Sequence, residues 1–194
     1  VHEPDYWRQA NVCSLLTELL EFVSGDCWQL TFKAESSIAE GDGHQVPLPL
    51  QGRKPTRIAL FSGGLDSMAG LASSLIHSDP SYALLTVSHQ ASLRKSCLDA
   101  TSELQNILQV EPINHSYVIA WLRTGKAIRL SYQEQTQRTR AVLFCSLGAL
   151  MAHALGCSDI DLFENGVGAL NAPLMSGMLY GTLATRGCNP RFLS

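Results

Sequence analysis

The chain has 194 residues, 45% hydrophobic and 16% charged, which is enough apolar material for a buried core and excludes wholesale disorder. Its formal net charge of −3 argues against a broad basic surface and so against nucleic acid as a partner. The six cysteines contain no Cys-x-x-Cys pair and no run reaches about 18 apolar residues, so we expect a cytoplasmic protein without a zinc knuckle or a membrane span.

Residues 1–33 are predicted to form an N-terminal extension made of a helix and a short strand. Gly25 is placed to end the helix, and Trp28, Leu30 and Phe32 alternate in the manner of a strand. Residues 34–56 are rich in Ser, Gly, Pro and charge, which predicts a linker. The helical stripe consists of Val12, Leu15, Leu16, Leu19, Leu20 and Val23.

From residue 57 onward, apolar runs typical of strands alternate with helical patterns. This alternation predicts an α/β fold, with a doubly wound, mostly parallel, Rossmann-like sheet covered by helices on both faces. We assign 57–194 to this domain, and the cut appearance of both chain ends leads us to expect that it continues beyond 194. The predicted strands are 58–61, 82–88, 113–120 and 160–163; the predicted helices are 65–77, 93–108 and 139–155. The apolar stripe of the second helix is read as Leu98, Leu104, Ile107 and Leu108.

The most informative motif is Ser-Gly-Gly-Leu-Asp-Ser at residues 62–67, between a predicted strand and a predicted helix. Two adjacent glycines let the backbone approach an anion closely, and the helix start directs N–H groups and a positive dipole end toward it. This arrangement predicts a pyrophosphate-binding loop for ATP. The residues assigned to ATP are Phe61, Ser62, Gly63, Gly64, Leu65, Asp66 and Ser67.

Within this motif, Asp66 is assigned to Mg²⁺, since its own charge opposes that of phosphate. The motif has no Gly-Lys-Ser/Thr ending, so no lysine reaches the β- and γ-phosphates as in a Walker loop. A loop that grips the terminal pyrophosphate and leaves the α-phosphorus open favours adenylyl transfer over γ-phosphoryl transfer. Asp66, Ser67 and Arg140 are therefore the candidate catalytic residues.

Further candidates follow the other predicted strands, because ligands of such sheets bind beyond the carboxyl ends of the strands. Ser88 and His89 follow the second strand, where adenine and ribose would lie. Arg138 and Arg140 flank the start of the third helix, and either guanidinium could bind phosphate or a substrate carboxylate. The other candidates for the second substrate are Glu164 and Asn165, at the end of the fourth strand.

On residues 62–67, the chain resembles the N-type ATP pyrophosphatases, whose fold is of the adenine nucleotide alpha hydrolase type. Residues 140–147 and 154–160, with Asn165 after the strand, make it similar to the QueC family of 7-cyano-7-deazaguanine synthases. The chain departs from the family at Thr139 and Ala141, where the family has glycine and asparagine. It also lacks the family's zinc-binding cysteine cluster, so zinc is not expected. The pattern is closest to the QueC-like proteins of Qat-type anti-phage defence systems.

The resemblance implies that ATP and Mg²⁺ activate a small-molecule carboxylate, 7-carboxy-7-deazaguanine or a similar compound, as an acyl-adenylate. In the family ammonia then attacks, whereas here a protein or peptide amine of a defence operon is an alternative acceptor. Two other hypotheses stay open at this point. One is a tRNA-modifying or amidotransferase-type enzyme with the same fold, and the other is a non-catalytic nucleotide-binding subunit.

Overall fold

The computed structural model describes residues 1–34, 50, 52–78, 80–88, 90, 92–120, 139–164, 187, 189 and 192. The regular elements of this part of the chain lie close to those predicted, and the second strand and second helix of the α/β region have the predicted bounds. In chain order the elements are α1 Pro4–Trp7, α2 Ala10–Ser24, β1 Arg57–Leu60, α3 Leu65–Ser78, β2 Tyr82–Ser88, α4 Leu93–Leu108, β3 Asn114–Ile119, α5 Arg140–Leu155 and β4 Asp159–Leu162.

The four strands form a single sheet in the order β3-β2-β1-β4, and all three pairings are parallel. In β1, Leu60 is paired with Leu85 of β2 on one side and with Leu162 of β4 on the other. The predicted α/β, Rossmann-like fold with a parallel sheet is thereby confirmed. Since the chain moves outward from β1 to β3 and then returns to β4, the winding direction changes between β1 and β4.

Apolar clusters cover both faces of the sheet, so the strands read as nearly continuous apolar runs. Successive β1 residues Ile58 and Ala59 are fully buried on opposite faces, as the two-residue period of a strand requires. On one face, side chains of α3 and α4 pack against side chains of the sheet. The buried cluster there consists of Ala59, Phe61, Leu71, Leu75, Tyr82, Leu84, Cys97 and Leu104. On the other face, α5 supplies part of the cluster: Ile58, Leu60, Ala83, Leu85, Met151 and Ala152.

This topology positions a ligand site at one edge of the sheet. In a parallel sheet with returning helices, the carboxyl ends of the strands and the amino ends of the helices that follow them meet at the same edge. Ligands of such sheets bind in the crevice where the winding direction changes, which here is the crevice between β1 and β4. Residues 61–67 and Phe163–Glu164 follow these two strands directly.

The N-terminal extension departs from its prediction in one respect. Helix α2 ends as expected, at Gly25, whose φ of 73° is left-handed. Residues 27–34 are not part of a strand, and among the described residues none pairs with them in a ladder. They fold back on α1 instead: the Phe32 carbonyl accepts a hydrogen bond from Arg8, and the Phe32 ring stacks on Trp7 at 5.9 Å. Short alternation alone does not make a strand, because a strand also needs a neighbouring strand with which to pair.

Two apolar stripes also differ from those predicted. In α4, Leu98 and Ile107 are exposed, whereas the inward face carries Cys97, Thr101 and Leu104. In α2, Leu15 is exposed. The inward face of α4 includes the polar residue Thr101, and the search for a helical period counts only apolar side chains. The true inward face could therefore not be recognised from the sequence. Among the described residues, no helix combines the length and the apolar character needed to span a bilayer.

Candidate functional site

Residues 62–67, the 62–67 loop, run from the tight turn after β1 into the first turn of α3, which begins at Leu65, as predicted. Gly63 has a φ of 72°, in the left-handed region that favours glycine. The amide of Met68 donates to the carbonyl oxygen of Gly64 at 3.0 Å, so the helical hydrogen bonds begin there. The amides before Met68 precede the first intrahelical bond and belong to the positive end of the α3 dipole.

The two serine hydroxyls of the 62–67 loop hydrogen-bond within the loop. Ser67 Oγ donates to the Gly64 carbonyl at 2.9 Å, so Ser67 can only accept in its 3.1 Å bond with Ser62 Oγ. The amide of Gly64 donates to Ser62 Oγ at 3.2 Å. A bound anion would have to replace some of these bonds. Ser67 is buried and stabilises the loop from its inner side through these hydrogen bonds, whereas Ser62 is exposed.

Two carbonyl groups at the start of the loop are held by buried side chains from other elements. The Phe61 carbonyl accepts from Thr86 Oγ1 of β2 at 2.6 Å, and the Ser62 carbonyl accepts from Cys97 Sγ of α4 at 3.5 Å. Burial raises the pKa of the Cys97 thiol, partly offset by its hydrogen bond with Thr86, so the thiol keeps the proton that it donates. Sequence reasoning missed both residues.

A histidine lies behind these contacts. His115 Nε2 is 2.8 Å from Thr86 Oγ1, and its Nδ1 is 3.4 Å from Thr101 Oγ1. The hydroxyl protons of the two threonines go to the carbonyls of Phe61 and Cys97, so both hydroxyls can only accept from the ring. The single N–H of a neutral imidazole is assigned to Nε2, because its contact with Thr86 is the shorter of the two. Burial, with a smaller contribution from the charge of Arg94, lowers the pKa of His115 to about 4, so the ring is neutral at pH 7.

The predicted ATP-binding residues of the 62–67 loop and its flanks differ in exposure. Phe61 is buried, its ring meets His115 edge-on at 5.6 Å, and both of its backbone polar groups bond to β2. Phe61 therefore anchors the start of the loop to β2. Leu65 and Asp66, in the first turn of α3, are exposed at the ligand edge.

The structure places three other predicted residues at the same edge of the sheet. Glu164 is exposed and lies two residues beyond Leu162, which pairs with Leu60 at the end of β1. Ser88 ends β2, and its Oγ accepts from the Gln90 amide at 3.0 Å. Arg140 begins α5, and its guanidinium lies over the Phe144 ring, 5.6 Å from the ring centroid. The predicted residues His89, Arg138 and Asn165 lie outside the described residues.

Gly70, which the sequence analysis did not single out, lets α3 approach the end of β4. A Cβ atom at this position would lie 2.4 Å from the Phe163 ring, so no side chain fits there. The Phe163 ring in turn meets the ring of Tyr82 at 6.4 Å. The close approach holds the start of α3, and hence Asp66, beside the residues that follow β4.

A cluster of charged and polar side chains that bond to one another begins at the opposite, amino edge of the sheet, where Arg57 and Tyr82 are the first residues of β1 and β2. Arg57 donates to both carboxylate oxygens of Asp161, at 2.7 and 2.6 Å, and Tyr82 donates to Asp161 at 2.6 Å. Burial works to raise the pKa of Asp161, but the hydrogen bonds from Arg57 and Tyr82 outweigh it and lower the pKa. Ser74 completes the cluster, at 2.9 Å from the Tyr82 hydroxyl.

Two cavities also lie at the amino edge, where α4 ends and β3 begins. One, of about 450 Å³, is lined by Ser102, Gln105, Asn106, Gln109, Val110 and Pro112. A second, of about 260 Å³, includes Tyr82 and Glu111 in its lining. They are shallow, polar and remote from the 62–67 loop, and no charged side chain converges in the larger one.

The charged groups at the carboxyl edge fit a magnesium ion bound mainly through phosphate. Mg²⁺ in nucleotide sites takes one or two carboxylates together with substrate oxygens and waters. Asp66 in the first turn of α3 and Glu164 after β4 are exposed carboxylates on the two sides of the crevice. Among the described residues there is no group of three His, Cys, Asp or Glu side chains that could hold a metal by themselves.

Comparison of the chain with protein-family models, with curated proteins and with solved structures found no match in any of the three. The fold and the site therefore define the molecule only at the level of class. It is an α/β protein with a parallel sheet and a glycine-containing loop at the carboxyl edge.

Proposed function

We propose that the 62–67 loop binds the pyrophosphate portion of ATP and that the protein transfers the adenylyl group to a carboxylate, releasing pyrophosphate. The observation that carries the proposal is the position and shape of this loop. It leaves β1 beside the change in winding direction, turns through a left-handed Gly63 and leads into the positive end of α3. This combination is an anion receptor placed where sheets of this kind bind nucleotides.

The choice of adenylyl transfer rests on what the loop lacks as well as on its shape. No lysine occurs in residues 61–70, so a γ-phosphoryl group has no cation there of the kind that a Walker loop supplies. Backbone amides at residues 62–67 would hold the β- and γ-phosphates as they leave. The α-phosphorus would then face the open crevice between β1 and β4.

The chain's own residues have separable roles in this reaction. The exposed carboxylate of Asp66 would hold Mg²⁺, which offsets negative charge as pyrophosphate departs. Arg140, at the amino end of α5, would bind the carboxylate substrate or a phosphate, and Arg138 is the alternative. Glu164 and Asn165 would hold the second substrate. Because positioning and charge neutralisation account for the acceleration, the protein need not supply a covalent nucleophile.

The carboxylate substrate follows from the resemblance to the QueC family. We propose 7-carboxy-7-deazaguanine or a related compound, activated as its acyl-adenylate and then transferred to ammonia or to a protein or peptide amine, in anti-phage defence. A tRNA-modifying or amidotransferase-type reaction would retain the same adenylation step. For that reason the first test addresses the step that these alternatives share.

The test is to incubate the protein with ATP, Mg²⁺, 7-carboxy-7-deazaguanine and ammonium as the acceptor that releases AMP from the acyl-adenylate, and to separate the nucleotide products. We expect AMP and pyrophosphate in equal amounts. The Asp66→Ala variant should release at least about a hundredfold less pyrophosphate, since it loses the metal position that offsets charge in the transition state. Asp99→Ala, an exposed carboxylate of α4 paired with Lys95, is the matched control and should retain full turnover.

Each outcome assigns the protein to a class. ADP and phosphate as products would overturn the adenylation proposal. ATP binding without turnover of any carboxylate would support a non-catalytic nucleotide-binding subunit. Unchanged turnover in Asp66→Ala would exclude Asp66 as the metal position, and pyrophosphate release only with a different carboxylate would overturn the proposed substrate.

A further inference from the structure

We propose that Thr86 and Cys97 are positioning residues that turn the first two amide groups of the 62–67 loop toward the bound phosphates. This inference rests on the proposed function, because it assigns a role in anion binding to residues that would not touch the anion. It goes beyond the binding motif, since Thr86 lies in β2 and Cys97 in α4.

The peptide group between Phe61 and Ser62 is held in place by β2. The Phe61 amide bonds to the Leu85 carbonyl of β2 at 2.9 Å, but its carbonyl accepts from the Thr86 side chain at 2.6 Å. A side-chain hydroxyl thus holds the carbonyl where β1 leaves the sheet. In a trans peptide the C=O and N–H bonds point in opposite directions, so the Ser62 N–H points away from β2, toward the β4 side of β1.

The next peptide group, between Ser62 and Gly63, is held in place by α4. Its carbonyl accepts from Cys97 Sγ at 3.5 Å, so its N–H likewise points away from the buried thiol. The contact is tight, since a Cβ on Gly63 would lie 2.9 Å from that sulfur. Among the described residues, no hydrogen-bond acceptor is found for the amides of Ser62 or Gly63. Successive outward N–H groups of this kind form an anion-binding concavity.

The side chains of Thr86 and Cys97 are themselves fixed in position. Thr86 is 3% exposed and Cys97 1%, so neither can be replaced by water at the carbonyl that it holds. Thr86 Oγ1 donates to the Phe61 carbonyl and is also 2.8 Å from His115 Nε2, so the ring holds the hydroxyl in place from its other side. Thr101 belongs to the same network, but its hydroxyl donates to the Cys97 carbonyl within α4 and not to the loop.

This difference between two threonines of one network supplies the experiment. Thr86→Val and Thr101→Val remove the same atom from equally buried sites, and only the first removes a bond to the loop. The affinities of wild type and variants for Mg-pyrophosphate and Mg-ATP are measured by calorimetry, together with thermal midpoints. We expect Thr86→Val to bind about tenfold more weakly, since charge-assisted amide contacts are lost or misaligned. Thr101→Val should stay within about twofold of wild type, and Thr86→Ser, which keeps the hydroxyl, should restore binding.

A second measurement does not need the ligand. The Ser62 and Gly63 amide resonances of ¹⁵N-labelled protein without nucleotide should move in Thr86→Val and Cys97→Ala, and stay in place in Thr101→Val and Cys97→Ser. Equal losses of affinity in the two valine variants, or unmoved amide resonances in Thr86→Val, would overturn the positioning role. If the wild type takes up neither ATP nor pyrophosphate, the proposed function fails, and the amide resonances still decide the positioning role.

Discussion

The two edges of the sheet use polar side chains in opposite ways. At the amino edge, Arg57, Asp161 and Tyr82 bond to one another over distances of 2.6 to 2.7 Å. At the carboxyl edge, Thr86 and Cys97 bond to backbone carbonyls of the loop and direct its amides away from the buried side chains. The first arrangement satisfies its own charges. The arrangement at the carboxyl edge leaves the amides of Ser62 and Gly63 directed toward the site proposed for the phosphates.

This contrast separates stability from binding in a way that substitutions can test. The ion pair at the amino edge joins β1 to β4, the two strands that border the crevice, so it supports the site without reaching it. The contacts at the carboxyl edge set the shape of the anion receptor. Changes at the amino edge should therefore lower the free energy of unfolding, and changes at the carboxyl edge should lower the affinity for phosphate.

The largest expected effect is at Gly63. Gly63→Ala places a Cβ 2.9 Å from Cys97 Sγ on a residue with φ of 72°, so the loop has to shift. We expect ATP-dependent pyrophosphate release to fall at least about a hundredfold. Gly156→Ala is the matched control, because its φ of 71° imposes the same backbone strain while the nearest atom, Lys54 Nζ, is 3.8 Å away.

That control makes the outcome specific. Gly156 ends α5 at the amino edge, so Gly156→Ala should lower the thermal midpoint and leave the kinetics unchanged. If both variants lost activity equally, backbone strain anywhere in the domain would explain the loss. The 62–67 loop would then have no special role.

The next effect is on stability at the amino edge. Asp161→Ala leaves the guanidinium of Arg57 and the hydroxyl of Tyr82 without their shared acceptor. We expect the free energy of unfolding in urea to fall by about 2 to 3 kcal/mol, as for a partly buried ion pair that loses one member. Pyrophosphate affinity at a temperature where the variant is folded should be unchanged, and a tenfold loss would contradict the division between the two edges.

The smallest expected effect is a dependence of stability on pH through His115. The pKa of His115 is about 4 in the folded chain against an ordinary value of 6.5, so the unfolded chain binds the proton more tightly. The contribution of this group to stability is complete above pH 6.5 and is lost as the pH falls from 6.5 toward 4. The shift corresponds to about 3 kcal/mol, which solvent around the partly exposed ring reduces to about 2 kcal/mol.

The measurement is urea unfolding of wild type and His115→Gln at pH 7 and pH 4.5. The wild type should lose more stability than the variant between these two pH values, because only the wild type has this titrating ring. A variant that lost as much stability as the wild type would show that other groups account for the whole effect. Asp161, whose pKa is lowered in the folded chain, loses its contribution at still lower pH and is common to both proteins.

The regular elements of the α/β region could be predicted from the sequence because short apolar runs alternate there with longer helical segments. The run from Tyr82 to Ser88 and the helix from Leu93 to Leu108 occur with the predicted bounds. The 62–67 loop could be predicted because all of its residues are adjacent in the chain. Where periodicity was weak, as in the three alternating residues Trp28, Leu30 and Phe32, the prediction of a strand was wrong.

The support of the site could not be predicted, since it comes from residues that meet only in the folded chain. Thr86 is one polar residue in an apolar strand, and Cys97 and His115 show no ligand spacing. Thr86 and Cys97 are buried beside the carbonyls of Phe61 and Ser62, and His115 contacts Thr86, an arrangement that no local pattern encodes. The signal available in the sequence was one threonine among the apolar residues 83–87, which is too common to assign a role.

The most direct test of the anion-binding loop is a crystal structure of the protein with Mg²⁺ and an ATP analogue whose α,β-bridging oxygen is replaced by methylene. We expect the β- and γ-phosphates to lie against the amides of Ser62 and Gly63, with the metal beside Asp66. Phosphates bound elsewhere, or a 62–67 loop that stays empty at saturating analogue, would contradict the account.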